Sequence, residues 1–200
     1  MLVKIYGAGS IGNHLANASK ALGWDVDVYD IDPKALERMQ YEIYPTRYGN
    51  WDKSIGLYEN KELRKKEYDY IFIGTPPDTH AELLLNSLKE NPKGILVEKP
   101  LCRPEKSEIE KLSNIENSKI PIFVGYDHVV SQSINKLKQL IVDGKIGKVL
   151  TIDVDFRENW SGIFDAHPWL DGPSDTYLGY WEKGGGASGE HSHALNLWQY

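Results

Sequence analysis

Residues 7–12 of the 200-residue chain are Gly7-Ala8-Gly9-Ser10-Ile11-Gly12, and the interpretation of the remaining sequence begins from them. A G-x-G-x-x-G match alone is a weak signal, but here the apolar run Val3–Tyr6 precedes it and a helical pattern follows it. In such a strand–turn–helix unit Gly7 permits the tight turn, Gly9 lets the backbone approach a pyrophosphate, and Gly12 lets the helix pack on the strand. The stretch therefore predicts a dinucleotide-binding turn.

An acidic residue at the end of the second apolar run supports the same prediction. Asp30 follows the run Val26–Tyr29 and lies 18 residues beyond Gly12, where a carboxylate can bond the ribose hydroxyls of adenosine. Ser10 and Ile11 lie at the positive end of the following helix, where free N–H groups can hold phosphates without a lysine. Because no arginine adjoins Asp30 to receive a 2′-phosphate, we predict NAD as the cofactor and NADP as less favoured.

Short apolar runs alternate with longer amphipathic segments along the first 145 residues, which is typical of a parallel sheet with helical crossovers. The strand-like runs are Val3–Tyr6, Val26–Tyr29, Tyr70–Ile73, Ile95–Val97 and Pro121–Val124. The first helical pattern covers about residues 11–22, with Gly23 as its C-terminal cap. Three further helices are predicted to begin at Asp78 or Thr79, at Pro104 and at Ser131. The last of them is predicted to turn an apolar face inward, made of Ile134, Leu137, Leu140 and Ile141. The prediction is an α/β Rossmann fold, a doubly wound parallel sheet, in an NAD-binding domain over residues 1–125.

The pattern changes after Gly144. Residues Lys148–Arg157 alternate polar and apolar side chains with period two, which predicts a strand with one face exposed to solvent. We assign residues 126–200 to the start of a C-terminal domain for substrate and oligomerisation. This would be an incomplete α/β open sheet, apparently truncated because a helical pattern is still running at Tyr200.

Composition excludes several classes of protein. Lys plus Arg is 23 and Asp plus Glu is 29, so the net charge of −6 argues against a nucleic-acid partner. No apolar run is long enough to span a membrane, and the strand-like N-terminus leaves no room for a targeting peptide. The single cysteine, Cys102, cannot form an internal disulfide. A cytoplasmic protein with a small-molecule partner is expected.

Two further motifs carry a resemblance to a known family. Thr75-Pro76-Pro77-Asp78-Thr79-His80 follows the third strand-like run, and Glu98-Lys99-Pro100-Leu101 follows the fourth. With the glycine stretch they make the chain similar, over essentially all its residues, to the glucose-fructose oxidoreductase / inositol dehydrogenase (Gfo/Idh/MocA) family. That family pairs a Rossmann domain with an α/β domain built on a large open sheet.

The resemblance implies a role for each matching residue. Lys99 matches the lysine near the nicotinamide and the substrate oxygen, and His193 matches the histidine that exchanges a proton with the substrate hydroxyl. Glu98 and Pro100 shape the lysine loop. Thr75, Pro76 and His80 belong to the cofactor side, His80 more as a structural residue at a helix start than as a catalyst.

One position departs from the family pattern. The family commonly has an aspartate four residues before its catalytic histidine, and Gly189 stands there in this chain. Glu190, three residues before His193, shares a helical face with it and is assigned as the replacement catalytic carboxylate. A metal site of Glu190, His191 and His193, with His167 as a distant fourth ligand, is not a recognised zinc spacing, so no metal is predicted.

The predicted function is that of an NAD-dependent oxidoreductase in carbohydrate metabolism. It would transfer hydride between the nicotinamide and a secondary hydroxyl or keto group of a sugar, cyclitol or sugar nucleotide, as a homo-oligomer associated through its C-terminal sheet. The alternatives are an NAD-binding regulatory module without turnover, and a reductase of linear tetrapyrroles or dihydrodiols. The aromatic segment 156–181 can be a sugar-stacking surface or plain core, and core packing is favoured.

Overall fold

The computed structural model describes residues 1–60, 66–113, 115–165 and 167–200. The chain divides into two compact units, Met1–Val124 and Gly125–Tyr200, and each is described by itself.

The first unit is built on one sheet of six parallel strands in the order β3-β2-β1-β4-β5-β6. The strands are β1 (Leu2–Tyr6), β2 (Asp25–Asp30), β3 (Gly56–Glu59), β4 (Tyr70–Ile73), β5 (Gly94–Val97) and β6 (Ile122–Val124). The chain moves outward from β1 through β2 to β3, then returns to the other side of β1 for β4. The carboxyl ends of β1 and β4 therefore flank a topological switch point, the place where open α/β sheets bind ligands.

Helices connect these strands, and the predicted α/β Rossmann fold is confirmed. They are α1 (Ser10–Ala21), α2 (Pro33–Arg38), α3 (Tyr44–Tyr48), α4 (His80–Leu88) and α5 (Lys106–Leu112), with a π-helical turn at Met39–Ile43 between α2 and α3. Gly23 follows α1 with a φ of +74°, as expected of a C-terminal cap. The helix expected from Pro104 begins two residues later, at Lys106.

The sequence did not indicate β3. Its four residues, Gly56-Leu57-Tyr58-Glu59, are all half-buried and form the edge strand beside β2. An edge strand of this length contains neither an apolar run nor a full polar–apolar alternation, so periodicity does not distinguish it from a loop.

The sheet packs a separate apolar cluster on each face. Val3, Ile5, Val26 and Val28 are buried on one face with Ala16 of α1. The other face buries apolar residues of the central strands with side chains of α4 and α5: Tyr6, Tyr29, Ile71, Ile73, Ile95, Val97, Leu84 and Leu112. Both faces are covered, which explains why β4 and β5 read as continuous apolar runs.

Two charged residues are buried within this sheet. Lys4, on the central strand β1, is 2% exposed and its Nζ lies 2.5 Å from Oε2 of Glu90. Asp27 on β2 accepts hydrogen bonds from Lys66 at 2.5 Å and from the hydroxyl of Tyr68 at 2.9 Å. Each buried charge has an oppositely charged partner, as a low-dielectric site requires.

The second unit contains α6 (Gln132–Val142), α7 (Ser161–Asp165), α8 (Gly186–Glu190) and α9 (His193–Gln199). Residues 148–157 carry no strand, so the strand predicted there is wrong for this chain. A strand is stable only when it is hydrogen-bonded to a neighbouring strand. None of the described residues between 125 and 200 forms a strand that could pair with residues 148–157. The open-sheet architecture expected of this region is therefore not formed by these residues.

Few apolar side chains of the second unit are buried. Leu178 is the one buried apolar residue among those the structure describes beyond residue 125. The face of α6 that was predicted to point inward is at best half-buried, and Leu137 is 48% exposed. None of the helices described in either unit combines the length and apolar character needed to cross a membrane.

Gly12→Ala tests the packing of α1 on the first turn. A Cβ at residue 12 would lie 1.9 Å from the carbonyl oxygen of Gly7, whereas one at Gly9 would meet nothing within 4 Å. We expect Gly12→Ala to lower the free energy of unfolding by about 1–3 kcal/mol, the usual range for overpacking. Urea unfolding followed by circular dichroism measures it, with Gly9→Ala as the matched control. Equal stability of the two variants would contradict the packing argument.

Candidate functional site

The glycine turn leaves an open backbone cradle at the start of α1. Gly7 has a φ of +100°, which favours glycine, and its N–H donates to the carbonyl of Tyr29 at 2.8 Å. Gly9 is the N-cap of α1, and no side chain caps the helix. The first N–H groups of a helix have no partner within it, and the space beside Gly9 is open. These groups fit a pyrophosphate, which such helix ends bind.

Asp30 lies beside that turn. Its Oδ2 accepts a hydrogen bond from the N–H of Ala8 at 2.8 Å, and its Oδ1 accepts one from the N–H of Asp32 at 2.9 Å. The two bonds fix the orientation of the carboxylate at the carboxyl end of β2. Each oxygen keeps further acceptor capacity, so the group can also bond two ribose hydroxyls.

Two arginines near this turn were not indicated by the sequence. Arg47 of α3 donates to Oγ of Ser10 at 2.7 Å, and Arg38 of α2 lies 3.4 Å from Oδ2 of Asp32. Neither arginine adjoins Asp30 in the sequence. Both arginines arrive through the β2–β3 crossover, whose course no spacing in the sequence specifies.

The turn after β4 contacts the glycine turn directly. The N–H of Gly74 donates to the carbonyl of Tyr6 at 2.8 Å, and a Cβ at Gly7 would lie 2.8 Å from the carbonyl oxygen of Gly74. Thr75 and Pro76 follow immediately, and the Thr75 hydroxyl bonds that of Thr79 at 2.6 Å. These two predicted cofactor-side residues thus lie at the switch point, next to the cradle.

His80 joins the turn after β4 to the loop after β5. It is fully buried, with Nε2 2.7 Å from the carbonyl oxygen of Thr75 and Nδ1 2.8 Å from that of Pro100. Burial lowers the pKa of His80, and hydrogen bonding to the two carbonyls offsets this in part. His80 therefore supports two loops rather than presenting a nitrogen atom to solvent.

Lys99 stands at the carboxyl end of β5, where the sequence placed it. The N–H of Glu98 donates to the carbonyl of Ile73 at 2.9 Å, which continues the ladder between β4 and β5 by one residue. Lys99 itself is half-buried, and its N–H lies 3.2 Å from Oε2 of Glu98. Asp30 ends β2, and Gly7, Thr75 and Lys99 lie just beyond the carboxyl ends of three other strands of the same sheet.

In the second unit, His193 begins α9 and is 8% exposed. Its Nδ1 lies 3.7 Å from Oδ1 of Asp127, and the same oxygen lies 2.7 Å from Nδ1 of His128. The imidazole rings of His128 and His193 are 4.4 Å apart between centroids. Tyr126 meets the His193 ring edge-on at 5.6 Å, and Phe156 stacks on it at the same distance.

Burial tends to raise the pKa of Asp127, but the hydrogen bond and charge of His128, with that of His193, hold this pKa below its usual value. Asp127 precedes His193 by most of the second unit, so no local motif links them.

The local structure explains why glycine occupies the position four residues before His193. A Cβ on Gly189 would lie 2.0 Å from the carbonyl oxygen of Gly184, so an aspartate does not fit there without a shift of the backbone. Glu190 ends α8 and is half-buried. His191 lies in the turn between α8 and α9, where Nε1 of Trp160 donates to it at 3.4 Å.

Comparison with known proteins agrees with this geometry. Residues 1–126 match the family model for Gfo/Idh/MocA oxidoreductases, which describes an NAD-binding Rossmann fold. The chain belongs to the Gfo/Idh/MocA oxidoreductase family. Its first unit is the NAD-binding Rossmann fold of that family, as the sequence predicted.

Two curated proteins are similar to this chain in sequence. Glucose-6-phosphate 3-dehydrogenase of Bacillus subtilis is 27% identical over 160 residues, which is 78% of this chain and 42% of the relative. Inositol 2-dehydrogenase of Rhizobium meliloti is 28% identical over 156 residues, which is 77% of this chain and 44% of the relative. The chain thus spans less than half the length of these relatives.

Solved structures share the fold of this Gfo/Idh/MocA chain. A putative myo-inositol dehydrogenase from Sinorhizobium meliloti superposes with a TM-score of 0.71 at 22% identity, covering 98% of this chain and 54% of that one. The WlbA dehydrogenase of Bordetella pertussis, solved with NADH and UDP-GlcNAcA, gives 0.69 at 18% identity, with the same coverage.

The pKa of His80 predicts a pH dependence of stability. The pKa of His80 in the folded chain lies below its usual value of 6.5, so as the pH falls His80 binds a proton in the unfolded chain before it does so in the folded chain. The contribution of His80 to stability is complete above about pH 6.5 and declines below it, by at most about 1.4 kcal/mol per pH unit. We expect His80→Gln to reduce this slope in urea unfolding measured across that range, and His14, whose pKa burial also lowers, should keep a part of it.

His167→Gln is the control, since it removes a histidine of the second unit and should leave the slope intact. If the wild-type stability instead rises as the pH falls, and His80→Gln abolishes that rise, then His80 is a buried imidazolium that donates to both carbonyls.

Proposed function

We propose that this chain carries the cofactor and reaction residues of an NAD-dependent dehydrogenase acting on a secondary hydroxyl or keto group of a sugar, cyclitol or sugar nucleotide. The observation that carries the proposal is the placement of Gly7, Asp30, Thr75 and Lys99 at the carboxyl ends of neighbouring strands around one switch point. Similarity to a glucose-6-phosphate and an inositol dehydrogenase supports the substrate class.

NAD fits the first unit in charge as well as in shape. The pyrophosphate would occupy the open cradle at Gly9, Ser10 and Ile11, and the adenosine ribose would bond Asp30. Arg47, which bonds Ser10, adds a positive charge beside the phosphate site. The Asp30 carboxylate would repel a 2′-phosphate, and Asp32 already pairs with the nearby Arg38, so NAD is favoured over NADP. When bound, NAD supplies the nicotinamide ring that accepts the hydride.

Lys99 is proposed to stabilise the substrate oxygen. As hydride leaves the carbon, negative charge develops on that oxygen, and a cation positioned there lowers the barrier. The rigid surroundings of the loop support this role, because His80 ties Pro100 to Thr75 and the ladder extends to Glu98. A loop backbone held in this way limits the reorganisation that the ammonium group would need during the reaction.

His193 is proposed to take the proton of the substrate hydroxyl. Asp127 beside Nδ1 favours a proton on that nitrogen, which leaves Nε2 as the acceptor. Asp127 would thereby orient the His193 ring. Glu190 remains a candidate catalytic carboxylate, since it precedes the turn that leads into α9.

A second candidate function is an NAD-binding module without turnover. The observation that favours it is the second unit, in which the described residues form no strand and bury a single apolar side chain. Homo-oligomerisation is proposed under either function, because exposed apolar side chains such as Leu150 and Trp181 are available for contact.

Asp30→Ala and Gly9→Ala test the cofactor site. Asp30→Ala should weaken NAD binding about tenfold or more and narrow the gap between NAD and NADP, because a charge-assisted hydrogen bond is lost and a repulsion is removed. Gly9→Ala should weaken both cofactors without loss of stability, because its methyl group enters the cradle. Calorimetric titration measures both, with Asp25→Ala, at the opposite end of β2, as control. Equal wild-type affinity for NAD and NADP would contradict the proposal.

Lys99→Ala and His193→Ala test the chemistry. Absorbance of reduced nicotinamide is followed with NAD and myo-inositol, scyllo-inositol, glucose 6-phosphate or a UDP-sugar acid. Each variant should lower kcat by about 10²–10⁴-fold, the usual range for one positioned acid–base group, with NAD affinity nearly unchanged. Glu190→Gln should lower kcat less.

A wild-type chain that binds NAD yet reduces it with none of these substrates would favour the module without turnover. Normal turnover in His193→Ala would show that another group is the base.

A further inference from the structure

We propose that Asp127, His128 and His193 bind a divalent transition metal ion, with zinc as the best match. Each of the three offers one ligand atom, and these atoms all lie within 4.8 Å of one another. In the described part of the chain this is the one group of three or more histidine, cysteine or acidic residues that meets such a limit. No zinc-ligand spacing in the sequence indicates it, because His193 lies far along the chain from the adjacent pair Asp127 and His128.

The distances suit a coordination shell. Zinc lies about 2.0–2.2 Å from nitrogen and oxygen ligands, which places neighbouring ligand atoms roughly 3–3.5 Å apart. Oδ1 of Asp127 is 2.7 Å from Nδ1 of His128 and 3.7 Å from Nδ1 of His193, values on either side of that range. The third edge, between His128 and His193, is within 4.8 Å, and the 40% exposure of the His128 side chain leaves room for the small shift that coordination requires.

The surroundings hold one ligand and leave the others accessible. His193 is buried between the rings of Tyr126 and Phe156, which fix its orientation. Asp127, by contrast, is 77% exposed, so an ion can enter from solvent and keep water in its remaining positions. Three protein ligands with an open position is the arrangement of zinc sites that exchange ligands.

The donor set predicts which ions bind. Two imidazoles and one carboxylate favour zinc, cobalt or nickel over magnesium and calcium, which prefer oxygen ligands alone. With neutral histidines the group carries a charge of −1, and this attracts a cation before any bond forms.

Zinc binding goes beyond the proposed function and opposes it. Zinc on Nδ1 of His193 leaves the single proton of the neutral imidazole on Nε2, so Nε2 has no lone pair for the substrate proton and a zinc-loaded chain would lack the proposed base. The ion would act as a reversible block on turnover. Its binding is measurable in a chain that has no activity at all, so the two proposals can fail separately.

The test is calorimetric titration of the chelator-stripped chain with zinc chloride, repeated with magnesium chloride. Cobalt chloride is added in parallel and its visible absorption recorded, because that spectrum reports coordination by nitrogen and oxygen. The variants are Asp127→Asn, His128→Gln and His193→Gln. The matched control is the double variant Glu158→Gln, His191→Gln, which removes the neighbouring carboxylate–imidazole pair, 3.7 Å apart.

We expect one zinc per chain, no binding of magnesium, and a loss of zinc affinity of at least about 10-fold in each single variant, since even indirect changes to metal sites cost 10–100-fold. The control should bind as the wild type does. His193→Gln alters a buried residue, but Asp127 and His128 lie at the surface and their variants should fold. Unchanged affinity in those two variants, or loss of binding in the control alone, would overturn the proposal.

Discussion

The backbone of α1 rests directly on the turn that precedes it, and this contact governs the geometry of the first unit. With a Cβ at Gly12 only 1.9 Å from the Gly7 carbonyl oxygen, no other residue allows the helix to start so close to β1. The close start directs the first N–H groups of α1 toward the carboxyl ends of the strands. Asp30 and Gly74 then contact the same turn through Ala8 and Gly7. The cofactor cradle is thus a consequence of helix packing.

Those features of the fold that depend on local chemistry could be predicted. The glycine turn, five of the six strands and the position of Lys99 follow from apolar runs and from residues that interrupt them. The edge strand β3 could not be predicted, because an edge strand is defined by its neighbour rather than by its own pattern. Residues 148–157 show the converse, since their alternation is that of a strand but the described chain supplies no partner.

The residues of the candidate site also fall into those that the sequence could predict and those that it could not. Motifs located Thr75, His80 and Lys99, because each follows a strand at a fixed spacing. They did not reveal that His80 links two loops through carbonyl oxygens, that Arg47 reaches Ser10, or that Asp127 lies beside His193. These contacts join distant segments and depend on the complete course of the backbone. The steric conflict at Gly189 depends on the backbone approach of Gly184, which the sequence does not specify, although the sequence had identified Gly189 as a departure from the family pattern.

Lys4 has a practical consequence. Its ammonium group lies within 5.5 Å of the ring centroids of Tyr6, Tyr29 and Tyr68 and is almost fully enclosed. Amine-specific reagents reach a lysine only when it is exposed to water, so Lys4 reacts only in molecules whose central strands have separated. The labelling rate of this single side chain therefore reports the opening of the first unit alone, whatever the state of the second, and supplies an internal standard for comparing preparations of the protein.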